Sequence, residues 1–163
     1  MLGLILEPLF LVTEAQYKIS KNNANIFMGI KKNKVNSRSG PGKEYPIINI
    51  YVKKGEPVKI LEYQNEWVKI QDFDKDEGWI YKNLLSRKHY VIVNTDTKLG
   101  VLTNKKIDSK IKFYIEPKAR CRLEKSFNNW CKIECKSHTG WVMKDKLWGI
   151  SDNNLKISPS NKK

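Results

Sequence analysis

Three cysteines and two histidines are the most reactive side chains in this sequence, and their spacing limits the chemistry open to them. Cys121, Cys131 and Cys135 lie close together, His138 follows shortly after, and His89 stands apart. A thiol nucleophile needs an imidazole base beside it and a third group to orient that base. Cys131 or Cys135 with His138 would supply the first two. His138, however, sits in a turn beside Thr139-Gly140, and so small a module leaves little protein to build a substrate cleft, so the expectation is a non-catalytic protein. The same three cysteines plus His138 make four conceivable zinc ligands. The paired Cys-x-x-Cys knuckle is missing, and neither a metal nor another cofactor is expected. A disulfide is the remaining chemistry. Odd-numbered positions on two adjacent strands share one face, so Cys121 with Cys135, or Cys121 with Cys131, could be joined in an oxidising compartment with one thiol left over. In the cytosol all three would stay reduced and buried.

Binding offers more candidates than catalysis. Flat rings give large contact area at low entropic cost, and nearby polar groups fix a ligand's orientation. Tyr45, Tyr51, Tyr63, Trp67, Trp79 and Tyr81 supply such rings in the first half of the chain. Trp67 and Trp79 have a competing role as packing residues, which makes Tyr45 and Tyr51 the better ligand contacts. Arg38 would either pair with an anionic group or brace the Gly40-Pro41-Gly42 turn.

These residues must be held by short strands. Val58, Ile60, Val68 and Ile70 alternate along Pro57-Val58-Lys59-Ile60-Leu61 and Trp67-Val68-Lys69-Ile70, the period of half-buried strands. Gln64-Asn65-Glu66 turns between them, and the polar stretch from Asp72 to Gly78 leads to the next strand at Trp79-Ile80. The pattern then recurs. Trp67-Val68-Lys69-Ile70 is echoed by Trp130-Cys131-Lys132-Ile133, and Gly78-Trp79-Ile80 by Gly140-Trp141-Val142, at shifts of 63 and 62 residues. Two copies of one small β module fit this spacing better than a solenoid of many units.

The string Val35-Asn36-Ser37-Arg38-Ser39-Gly40-Pro41-Gly42, with Tyr45-Pro46-Ile47, Lys54-Gly55, Trp67 and Gly78-Trp79, resembles the bacterial Src-homology-3-like (SH3-like) domain family. The second copy, with Glu116-Pro117, Trp130, Gly140-Trp141 and Leu147-Trp148-Gly149, is similar to the degenerate partner repeat of exported members. Ser37 stands where the family pattern usually has an apolar residue, and the second copy lacks the Arg-Ser-Gly-Pro string. The resemblance implies an all-β chain of two tandem small antiparallel barrels. It also implies an envelope targeting module whose site lies in the first copy. Gly40, Pro41, Gly42, Gly78 and Gly140 are expected to be structural, shaping turns and letting the backbone bend ahead of the tryptophans.

The expected organisation is a signal-peptide-like segment at 1–15, an N-terminal extension at 16–32, barrels at 33–86 and 88–150, and a flexible basic tail at 151–163. The first fifteen residues are apolar apart from Glu7 and Glu14, with Thr13 and Ala15 before a cleavage site. No later run reaches the roughly 20 apolar residues of a spanning helix, so the expected location is periplasmic or secreted, with peripheral contact to a membrane surface compatible with the charge. The net charge is +14, with 31 Lys+Arg against 17 Asp+Glu, which attracts anionic partners. The abundance of Lys, Asn and Ile together also fits an AT-biased genome, so charge alone does not choose a partner. Peptidoglycan or an envelope protein is the expected partner, with a protein scaffold as the alternative. An RNA-binding barrel is the further alternative, disfavoured because no aromatic-basic nucleic-acid motif is present. The sequence leaves the oligomeric state open.

Overall fold

The computed structural model describes residues 26–150; the signal-peptide-like segment, most of the expected N-terminal extension and the basic tail lie outside the described residues. The described residues form fourteen strands in two seven-stranded antiparallel sheets. The first contains β1 (Phe27–Ile30), β2 (Val35–Arg38), β3 (Ile47–Tyr51), β4 (Pro57–Gln64), β5 (Trp67–Gln71), β6 (Glu77–Tyr81) and β7 (Leu85–Ser86). The second contains β8 (Tyr90–Val93), β9 (Leu99–Leu102), β10 (Ile111–Ile115), β11 (Arg120–Phe127), β12 (Trp130–Cys135), β13 (His138–Met143) and β14 (Leu147–Trp148). Strand order is β3-β2-β6-β5-β4-β1-β7 in one and β10-β9-β13-β12-β11-β8-β14 in the other, the same topology twice. Each sheet curls into a small barrel, and a single 3-10 turn precedes its last strand, at Lys82–Leu84 and Lys144–Lys146.

Local sequence explains the repeated hairpin. Asn65 and Asn128 occupy the same left-handed position, at φ 52° and 50°, in the tight turns that join β4 to β5 and β11 to β12. Asn tolerates that region better than most residues. Both long strands also carry a bulge in the same place, between Ile60 and Glu62 and between Leu123 and Lys125, which bends the strand around the barrel. The shift of 63 residues falls to 62 at the next turn. Gln71 pairs with Glu77 in the first copy and Glu134 with Thr139 in the second, so the second connection is one residue shorter. It closes through Lys136 and Ser137, both at positive φ, as a two-residue hairpin of the twist-matched kind requires.

Alternation buries one side of each strand. Val58, Ile60, Val68, Ile70 and Ile80 fill the first core, while Cys121, Cys131, Ile133 and Val142 fill the second with Val91, Val93 and Val101. Two expectations need correction here. Phe27–Ile30, which falls in the expected extension at 16–32, is a strand of the first sheet, paired with Pro57–Lys59 on one side and Leu85–Ser86 on the other. Four residues with a glycine among them give a weak local signal, and the strand exists because distant partners pair with it. Gly78 is not there to bend the chain. It lies inside β6, where a Cβ would come within 2.0 Å of Ser37 Oγ, and Gly140 repeats the arrangement with Val101 Cγ1 at 2.4 Å. Ser37 is buried and its hydroxyl has no hydrogen-bond partner. Its counterpart Val101 is the apolar residue that the pattern usually carries.

The two barrels pack against each other. Only residues 87–89 separate β7 from β8. Tyr90 lays its ring on the first barrel, where a Cβ at Gly29 or at Gly55 would come within 2.7 Å of it. Trp148 meets Phe27 and Phe73 edge to face at 5.0 and 5.5 Å, and Glu56, buried in the first barrel, is paired with Arg120 of the second.

Candidate functional site

Along β2, Val35 and Ser37 point into the core while Asn36 and Arg38 lie half-buried on the other face. Lys34 continues that outer row. These side chains form one wall of a groove of about 550 Å³, closed by Lys43, Trp67, Tyr81 and Leu84. Trp67 begins β5, Tyr81 ends β6, and the two are register partners. Their rings meet edge to face at 5.7 Å, a mutually supporting aromatic pair. Arg38 Nη1 donates to the Tyr45 carbonyl at 2.7 Å, which ties the loop after β2 to the groove. Three cations and no carboxylate line the groove, so it is electrostatically suited to an anionic ligand that also offers a flat or apolar face.

The structure therefore brings Arg38, Trp67 and Tyr81 together and separates the other candidates. Tyr45 is 40% exposed and its ring covers Gly40, where a Cβ would come within 2.3 Å of it. The Gly40-Pro41-Gly42 segment thus makes room for Tyr45 as well as turning the chain. Tyr63 lines a different groove of about 560 Å³, with Phe27, Met28, Arg87 and His89. Burial pushes the His89 imidazole below its ordinary range. Trp79 is 8% exposed and presents no face to a ligand.

Tyr51 is the clearest correction. The sequence favours it as a ligand contact, but it is 8% exposed and packs in the first core, at the position that Ile115 occupies in the second. Its hydroxyl donates to Asp72 Oδ2 at 3.1 Å, and burial, then the Asp72 charge, push the phenol well above its usual range. The sign is fixed by proton linkage. Above pH about 10, the unperturbed phenol value, the unfolded chain has lost a proton that the folded chain keeps, so stability falls as pH rises toward the raised folded value. Tyr51→Phe is expected to cost about 1 kcal/mol at neutral pH through the lost hydrogen bond and to flatten the alkaline decline. Urea midpoints of both proteins from pH 7 to 11 check this; parallel declines would show that Tyr51 does not govern it.

Sequence reasoning missed Lys34, Asn36, Lys43 and Leu84. The first two were legible in the period-2 alternation around Val35 and Ser37; Lys43 and Leu84 arrive by loop and turn and left no local signal. The second barrel does not reproduce the groove. Leu102 pairs with Trp141 as Arg38 pairs with Trp79, and Met143 pairs with Trp130 as Tyr81 pairs with Trp67.

The cysteines are structural. Cys121 and Cys135 face each other across β11 and β12, with Cα atoms 4.6 Å apart, and are joined in a disulfide; Cys131 is buried and free. Burial pushes the Cys131 thiol up, which suppresses the thiolate a nucleophile would need. With two thiols joined, neither the Cys/His pair through Cys135 nor the three-cysteine zinc set can form. No helix among the described residues is long and apolar enough to cross a membrane.

Two tandem antiparallel β-barrels, one with a cationic aromatic groove and one without, define a tandem small-barrel architecture. The bacterial SH3 domain family matches residues 31–87 and 106–149, and the chain belongs to that family. It is 28% identical over 123 residues, 69% of its length, to a Bacillus subtilis protein named as an N-acetylmuramoyl-L-alanine amidase. The chain spans about a quarter of that relative, 24% of its length. Among solved structures, NlpC1 from Trichomonas vaginalis is 14% identical at a TM-score of 0.35, covering 78% of this chain and 47% of that one. An NlpC/P60 family protein from Bacillus cereus is 12% identical at a TM-score of 0.33, covering 78% and 57%.

Proposed function

We propose that this protein is a non-catalytic binding module of the cell envelope, periplasmic or secreted, that holds peptidoglycan through the groove of its first barrel. The observation that carries the reading is the meeting of Lys34, Arg38 and Lys43 with the Trp67–Tyr81 ring pair in the first copy alone. Peptidoglycan offers carboxylates on its peptides and flat saccharide faces on its glycan, which cations and rings respectively accommodate. Family membership supports the module reading, and the name of the B. subtilis relative supports a wall polymer as its target. A disulfide among the core cysteines supports an oxidising compartment.

A second reading, a scaffold for an extended segment of an envelope protein, draws on β3. That strand ends the first sheet, and Ile47, Ile48, Ile50 and the adjacent Val52 are 44–65% exposed. An open strand edge can accept another strand.

Co-sedimentation with insoluble peptidoglycan at low and high salt separates these readings. Wild-type protein is expected to sediment at both. Tyr81→Ala or Arg38→Gln should weaken retention about tenfold, the loss of one stacked ring or one charge-assisted contact. No retention, or retention that salt abolishes equally for every variant, would reject the wall reading and leave the scaffold.

A further inference from the structure

A cleft of about 720 Å³ lies where the second barrel faces Lys53 of the first. It is distinct from the groove described above. Phe113, whose ring lies 5.6 Å from that of His138, and Tyr114, which is 62% exposed, both line it. Its rim is cationic, with Lys53, Lys118, Arg120 and Lys136. Glu116, the one acid among the lining residues, is turned to Lys98 at 2.9 Å. Arg120 is held by Glu56 and Lys118 lies 3.7 Å from Asp74. Among the described residues Lys53 and Lys136 form no ion pair, so two positive charges at this cleft are uncompensated.

We propose that this inter-barrel cleft binds an anionic saccharide chain, which stacks a sugar ring on Tyr114 and sets its carboxylates or phosphates against Lys53 and Lys136. Charge complementarity requires the ligand to be acidic, and the exposed Tyr114 ring favours one with flat apolar faces. Cys135 forms part of the wall, so the Cys121–Cys135 disulfide fixes β12 beside the cleft. An assembled cleft therefore belongs to an oxidising compartment, where acidic saccharides rather than nucleic acids are the polyanions at hand. Neither barrel makes this site alone, because Lys53 comes from one and Tyr114 and Lys136 from the other.

Affinity measurements on the intact protein test this with immobilised polygalacturonate for carboxylates, phosphomannan for phosphates, and neutral dextran as the uncharged control. Binding to at least one acidic polymer and not to dextran is expected, and the two acidic arms tell carboxylate from phosphate recognition. The Lys53→Gln/Lys136→Gln pair should weaken it about tenfold, as the loss of two uncompensated cations implies. Tyr114→Ala, which leaves charge unchanged, should weaken it about fivefold through lost stacking. Lys125→Gln, away from the cleft on the β11–β12 hairpin, should leave it unchanged, and the Lys53→Gln/Lys136→Gln pair should cause the same fold-loss in an Arg38→Gln background, so this result stands or falls apart from the first-barrel groove. Failure to bind either acidic polymer would overturn the proposal. So would equal losses in all the lysine variants, an unchanged Tyr114→Ala, or tighter binding to polyglutamate or single-stranded RNA than to both saccharides.

Discussion

Replacing Cys121 and Cys135 together with alanine is expected to lower stability by about 3 kcal/mol, the chain-entropy value for a loop of roughly 15 residues. The two cysteines are 14 residues apart and join β11 to β12, the hairpin on which the second core is built. Alanine is the informative replacement, because a buried serine hydroxyl would add a desolvation cost of its own. For a chain of this size the loss corresponds to a fall in Tm of about 10 °C. The first barrel offers the internal contrast. At the position of Cys135 it has Asp72, tied to Tyr51 by a hydrogen bond, a contact worth about 1 kcal/mol. The second barrel thus depends on one covalent bond where the first depends on a polar pair and larger aliphatic side chains. Thermal melts of wild type with and without reductant, beside the double variant, check the prediction. Reduced wild type should melt with the variant, and coincident melts of reduced and oxidised protein would show that the bond contributes nothing.

The second large effect concerns the junction between barrels. Gly55 has φ +83° and its amide donates to the Ile30 carbonyl at 2.7 Å. A Cβ there would also come within 2.7 Å of Tyr90 Cε1. Gly55→Val therefore meets two penalties: a branched residue in the left-handed region, at about 2 kcal/mol, and overpacking against a ring, at about 1–3 kcal/mol. A total of about 3–5 kcal/mol is expected, with the barrels loosened at Tyr90 and trypsin gaining access to Arg87 and Lys88 between them. Adding Tyr90→Ala removes the clash and leaves the backbone strain, so the double variant should be less destabilised than the two singles summed. Additive losses, or a Gly55→Val protein that resists trypsin as wild type does, would show that the ring does not hold the barrels together.

Much of this was legible in the sequence. The recurrence of Trp67-Val68-Lys69-Ile70 as Trp130-Cys131-Lys132-Ile133 determined two copies of one module, because a repeated side-chain alternation imposes a repeated strand pattern. The spacing of the cysteines placed them on one face for the same reason. What each residue contributes inside a copy depended on partners far away in the chain. The choice of Cys135 over Cys131 follows from the register of β11 on β12, which sets Arg122 opposite Glu134 and thus Cys121 opposite Cys135. Tyr51 left the list of ligand contacts because its strand turns it toward Asp72, 21 residues on. Trp67 and Tyr81 meet only because β5 pairs with β6. The docking of Tyr90 on Gly29 and Gly55, and the cleft between the barrels, had no local signature at all. Periodicity is written by neighbours in sequence and can be read there, whereas register, docking and shared grooves are decided by contacts between residues that only the folded chain brings together.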